Sequence, residues 1–157
     1  IDISHPSKEA IAQMIELSKA PVVASHSSAR ALRDHPRNLD DEQLNLVKDN
    51  GGVVQVTALG SFLTDRKDPP PNMDDFMDHI DYMVDKIGIE HVGISSDFDG
   101  GGGIVGWKDA SETMNVTAAL RERGYSESEI EKLWGGNLLR VLDEVQAIAA
   151  KLQSEEL

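Results

Sequence analysis

The alternation of short β-rich runs with helical segments, four times over, constrains this chain more than any other feature. The runs are Ile1-Asp2-Ile3-Ser4-His5, Val22 to His26, Val53 to Leu59 and His91 to Asp97. A helix is expected from about Ser7 to Leu17 after the first, with Ser7 as N-cap. A second is expected from Asp41 to Asp49, opened by Asp40 and stopped by the glycines of "DNGG". After a loop with three consecutive prolines, Met73, Phe76, Met77, Ile80, Met83, Val84 and Ile87 mark one face of a third helix, which Gly88 ends. Three further helical segments close the chain, one opened by the capping box Ser126-Glu127-Ser128-Glu129. Near-continuously apolar strands alternating with helices call for an α/β fold with parallel strands under helical cover. Four such units make the C-terminal half of a (β/α)8 TIM-type barrel, whose usual length is about 250 residues. A four-stranded open α/β sheet is the alternative. The chain opens at Ile1, already inside a strand pattern, so it reads as a piece of something longer. That favours the half barrel, as one unit over residues 1–157 with no internal boundary.

Charge and composition remove several function classes. The net charge of −13 opposes binding to nucleic acid and to anionic membranes. With no cysteine there is no disulfide framework, thiolate metal site or cysteine nucleophile. No apolar run approaches the roughly 18 residues of a membrane span. No signal peptide is visible in these residues, and they leave the compartment open.

The strand ends carry the chemistry. In parallel α/β barrels functional side chains gather at the C-terminal ends of the strands, and here those ends hold His5, His26 and Asp97. The third run ends blandly at Thr57 to Leu59. Histidines from adjacent strands can share one cation, and neutral imidazole suits Zn²⁺. Asp97 is placed to accept a proton from a metal-activated water. Asp99, beside Gly100, reads as turn chemistry. Arg37, in the polar loop beyond the second strand, has the fork to clamp a carboxylate. Gly101, Gly103 and Gly106 fit G-x-G-x-x-G, but no helix opens on the third glycine and two aspartates would repel a pyrophosphate, so nucleotide binding is rejected. The glycines are read as conformational freedom in a loop lining a substrate pocket. Ser27 and Ser28 lack a nucleophile elbow and are read as hydrogen-bonding or capping groups. His79 and His91 are read as structural or surface residues.

The stretches "DISHPS", "PVVASHSSARAL", "HPRNLDDEQL", "GGVVQV", "HVGISSDFDGGGG" and "NLLRVLDEV" resemble, in order and along nearly the whole chain, the C-terminal half of the membrane (renal) dipeptidase family of zinc metallopeptidases. The resemblance implies a (β/α)8 barrel with two zinc ions and a dipeptide substrate, and pairing of full-length members into a homodimer. It implies that His5 and His26 bind the second zinc, that Arg37 holds the substrate's C-terminal carboxylate, and that Asp97 is the proton acceptor. A hydroxide bridging the zincs would attack the peptide carbonyl. The family's H-x-D motif, bridging glutamate and a further substrate-binding histidine belong to the first half of the barrel and are not in these residues. The piece alone is therefore expected to bind zinc weakly and to catalyse little. Two other readings stand beside this one: another binuclear metal-dependent hydrolase of amides or lactams, and an inactive barrel fragment with a structural or binding role.

Overall fold

The computed structural model describes residues 1–155, so the single unit expected over residues 1–157 extends two residues beyond the described part. Helix α1 (Lys8–Leu17) starts where the Ser7 hydroxyl accepts the Ala10 N–H. Strand β1 (Val23–Ser27) follows, then α2 (Asp41–Asp49), opened by a reciprocal Asp40–Gln43 capping box. Strand β2 (Val53–Thr57) leads through the short α3 (Gly60–Leu63) to α4 (Met73–Ile87). A second capping box, Asn72–Asp75, opens α4, and Gly88 ends it at a φ of 91°. Then come β3 (Val92–Ser95), α5 (Thr113–Glu122), α6 (Glu127–Glu131), a π-helical turn (Lys132–Gly136) and α7 (Asn137–Glu155).

The three strands form one parallel sheet in the order β1-β2-β3. Helix α4 turns Phe76, Met77, Ile80, Met83 and Ile87 into the core with almost no exposure, each contributing roughly 1.5–3 kcal/mol relative to an exposed side chain. Val54 and Val56 of β2 and Val92 of β3 belong to the same core.

The expected first strand differs from the structure. Residues 1–5 make only one parallel bridge, Asp2 to Val23, with Ile3 N–H donating to Val23 O and Val23 N–H to Ile1 O. Pairing stops there because the Asp2 carboxylate takes both the N–H and the hydroxyl of Ser4 (3.0 and 2.7 Å). A short polar side chain has outcompeted the ladder. The sheet is therefore three-stranded rather than four-stranded, with residues 1–3 lying along the outer side of β1.

A second departure lies inside β1. Ala24 pairs with Val54 but Ser27 pairs with Val56, so three steps along β1 match two along β2. The extra residue falls at Ser25-His26, and bulges of this kind bend a strand and re-aim its side chains.

Candidate active site

Because the sheet is parallel, the ends of β1, β2 and β3 face one edge, and the structure puts three of the four singled-out residues together at the β1 end. His5 and His26 approach edge-on, their Nε2 atoms 2.9 Å apart. Arg37 reaches the same point: its Nη2 lies 3.1 Å from His26 Nε2, while its Nε donates to the Ser4 carbonyl (3.0 Å). The guanidinium sits over the buried Phe62 ring, 5.6 Å from its centroid. His5 is exposed and His26 and Arg37 are half-buried, so the cluster is open to solvent.

The bulge is held by side chains rather than by strand pairing. Ser25 N–H donates to Asp2 Oδ1 (3.2 Å) and His26 N–H to the Ser4 hydroxyl (3.1 Å). The Ser25 carbonyl accepts from Gln55 Nε2 of β2 (3.4 Å). Burial acts to raise the pKa of Asp2, but the hydrogen bonds from Ser25 and Ser4 outweigh it and hold the carboxyl below its ordinary value.

Other residues position the loop carrying Arg37. Its backbone N–H donates to His35 Nδ1 (3.2 Å), and the His35 ring packs on Phe62 with centroids 4.5 Å apart. Burial, followed by the charges of Arg33, Arg37 and Arg30, lowers the pKa of His35, which favours the neutral ring that accepts this bond. Buried Asn38 donates to the carbonyls of Arg33 and Phe62. His79, read as structural or surface, is fully structural: Nδ1 accepts the Ala29 N–H (3.0 Å) and Nε2 meets Leu63 O (3.0 Å). His91 Nδ1 lies 2.8 Å from the Gly52 carbonyl.

Asp97 stands apart from this cluster, just past β3. No side-chain hydrogen bond or ion pair joins it to His5, His26 or Arg37 among the described residues. It is the one non-glycine described residue with positive φ (51°), in the left-handed region that aspartate tolerates better than most. Its carbonyl accepts the N–H groups of Gly100 and Gly102 (2.9 and 2.8 Å), and Gly103 N–H donates to Ala58 O beyond β2 (2.8 Å). Gly101, Gly103 and Gly106 all take positive φ (98°, 119° and 96°), the conformational freedom expected of them. At Gly102 a Cβ would run into the Ser96 carbonyl oxygen, so the turn depends on having no side chain there.

The sequence singled out His5, His26 and Arg37, which the structure brings together, but not Asp2, Ser4, Ser25, His35 and Phe62 as their supports. The available signal was the proximity of Asp2, Ser4 and Ser25 to the two histidines in the chain. Among the described residues, no cluster of three or more histidine, cysteine, aspartate or glutamate side chains is arranged to hold a metal, so His5 and His26 stand as a pair.

The family model described as membrane dipeptidase (peptidase family M19) matches residues 1–156. The chain belongs to this family. A dipeptidase of Aspergillus terreus, ataJ, is 41% identical over 156 residues, covering 99% of this chain and 38% of its own length. A dipeptidase of Claviceps purpurea, tcpJ, is 38% identical over 151 residues, covering 96% of this chain and 35% of its own length. The chain thus spans less than half the length of these relatives. Among solved structures, the probable dipeptidase PvdM from Pseudomonas aeruginosa superposes with a TM-score of 0.91 at 39% identity, over 94% of this chain and 50% of that one. A metallo peptidase from Rhodobacter sphaeroides, liganded with a phosphinate mimic of the dipeptide L-Ala-D-Ala, does so with a TM-score of 0.83 at 34% identity, over 91% and 41%. Among the described residues no helix is long and apolar enough to cross a membrane.

Proposed function

We propose that this chain forms the C-terminal half of a (β/α)8 barrel in a zinc-dependent dipeptidase, with His5 and His26 as metal ligands, Arg37 as the clamp for the substrate carboxylate and Asp97 as the proton acceptor. The observation that carries this reading is the meeting of His5, His26 and Arg37 at the edge where all three strands end.

The donor set fits zinc. Two imidazole nitrogens 2.9 Å apart, on an exposed surface, are the ligand type zinc favours. They supply half of a four-coordinate site, and the remaining donors belong to the first half of the barrel. Zinc there supplies a Lewis acid for the peptide carbonyl and lowers the pKa of a water to near neutral.

The residues of this chain do the rest. Arg37 is braced from three sides, by the Ser4 carbonyl, the Phe62 ring and the His35 ring that accepts its backbone N–H. It thereby presents a fixed cation beside the two imidazoles. A dipeptide's free carboxylate, paired there, brings its single peptide bond to the metal side of the cluster, while an internal peptide bond has no such carboxylate to offer. Asp97, facing the same edge from β3, takes up the proton released by the attacking water and returns it to the leaving amine.

The test is hydrolysis of a free dipeptide and of its C-terminal amide, with Zn²⁺ supplied and the first half of the barrel restored. Arg37→Met is expected to lower kcat/KM for the free dipeptide by about 10- to 100-fold, the loss of one charged hydrogen-bonded pair, and to leave the amide nearly unaffected. Equal loss on both substrates would overturn the clamp, and absence of turnover in the unsubstituted protein would overturn the enzyme.

A further inference from the structure

We infer that Asp2 and Ser25 are positioning residues that lock the His26 ring in its Nδ1–H tautomer and so aim the Nε2 lone pair at the partner imidazole. The consequence for metal binding rests on the proposed role of His26, but the tautomer itself follows from a count of protons.

Ser25 Oγ lies 2.5 Å from Asp2 Oδ2 and 2.8 Å from His26 Nδ1. A hydroxyl has one proton, and the Asp2 carboxylate has none to give. Ser25 therefore donates to Asp2, and its lone pair faces the ring. The short Oγ–Nδ1 contact is then a hydrogen bond only if Nδ1 carries the proton.

The neighbouring groups agree with this assignment. The Ser4 hydroxyl donates to Asp2 Oδ1 (2.7 Å) and accepts the His26 N–H (3.1 Å), so it has no second proton for Ser25. On the far side of the ring, Arg37 Nη2 lies 3.1 Å from Nε2, and a guanidinium only donates. Nε2 must then be the acceptor. The contacts at the two ends of the ring favour the same tautomer, and both are needed to hold it.

The bulge explains how consecutive residues can work this way. In a regular strand Ser25 and His26 would point to opposite faces. With the extra residue placed there, and its N–H and C=O groups taken by Asp2, Ser4 and Gln55, the Ser25 hydroxyl reaches its neighbour's ring. Metal-ligating histidines commonly have such a partner on the other nitrogen, and its loss typically weakens metal affinity by about 10- to 100-fold.

The experiment is ¹⁵N NMR of the histidine rings in this chain without metal, followed by Zn²⁺ titration. The expected spectrum shows His26 as the neutral Nδ1–H form. Ser25→Ala is expected to move the ring toward the Nε2–H form and to weaken Zn²⁺ binding by about 10- to 100-fold, while Ser25→Thr, which keeps the hydroxyl, preserves both. Asp2→Asn repeats the test from the other side of the serine, with backbone amide spectra reporting that each variant is folded. An Nε2–H ring in the unsubstituted protein overturns the inference even if dipeptides are hydrolysed. A Ser25→Ala ring indistinguishable from the original does the same. An Nδ1–H ring that depends on Ser25 upholds the tautomer lock even if no dipeptide is cleaved, in which case only the proposed enzyme falls.

Discussion

The ends of β1 and β3 face the same edge of one sheet, yet they hold their polar residues by opposite means. At the β1 end, side chains hold side chains: Asp2, Ser4 and Ser25 support His26, and Phe62 and His35 support Arg37. At the β3 end, the backbone does the holding. Asp97 sits in a left-handed conformation whose carbonyl is bonded by Gly100 and Gly102, and its carboxylate has no side-chain partner among the described residues. In the proposed roles, two ligands that share one cation need their ring orientations fixed, which takes neighbours with specific hydrogen bonds. A carboxylate with the proposed role of passing a proton needs placement and freedom to exchange it, which a backbone-held turn provides.

This difference is most severely tested at Gly102. If the β3 end depends on backbone shape, a single methyl group there is more damaging than any polar substitution nearby. Gly102→Ala drives a Cβ into the Ser96 carbonyl oxygen and against the Asp97 carbonyl. The expected cost is about 3 kcal/mol, or a fall in Tm of roughly 6–12 °C for a chain of this size. A thermal melt within a degree or two of the original would show that the turn yields, and the contrast between the two ends would collapse.

The β1 end should instead respond to protons, through His79. Its Nδ1 accepts from Ala29, just past β1, and its Nε2 faces Leu63 O, a pairing that the neutral ring satisfies at both nitrogens. Burial lowers its pKa, against the raising effects of the Leu63 carbonyl and of Asp78 and Asp75. The unfolded chain takes up this proton near pH 6.5 while the folded chain resists it until lower pH. The stabilisation is therefore present above about pH 6.5 and lost as pH falls from there, by at most about 1.4 kcal/mol per pH unit. Melts at about pH 7.5 and about pH 5.5, flanking that value, give the check. The Tm advantage of the original over His79→Gln should shrink at the lower pH, and an advantage that grows would reverse the sign argued here.

How legible each end was in the sequence follows from the same distinction. The helix starts were plain because caps are local: Ser7, Asp40 and Ser126 cap the helices expected of them. His5, His26 and Arg37 stood out because their chemistry resides in the residue type, and the structure brings the three together at the end of β1. The bulge at Ser25-His26 was invisible, because it is a mismatch between β1 and a strand about thirty residues away that no local pattern records. The loss of the first strand was hidden for a related reason. Ile1-Asp2-Ile3 alternates as an edge strand should, but Asp2 takes the Ser4 N–H for itself. The glycine run was legible in part: Gly101, Gly103 and Gly106 use the freedom of positive φ expected of them, whereas Gly102 serves a close approach. Glycine permits close approach as well as freedom, and only the position of the Ser96 carbonyl shows which of the two Gly102 provides.

The smallest expected effect on stability is at Asp97, and there the contrast has its finest edge. Asparagine enters the left-handed region about as readily as aspartate, and the carboxylate it would replace has no side-chain hydrogen bond to lose among the described residues. Asp97→Asn is expected to change stability by less than about 0.5 kcal/mol, within roughly 2 °C in Tm. The amide cannot accept a proton as the carboxylate does, so in the restored barrel with Zn²⁺ the proposed role requires kcat to fall by about 10²- to 10⁴-fold. A variant that melts normally and loses turnover separates the turn, held by the backbone, from the proton acceptor it carries. A variant that loses several degrees in Tm would show that the carboxylate itself holds the loop, and the β3 end would then be built like the β1 end after all.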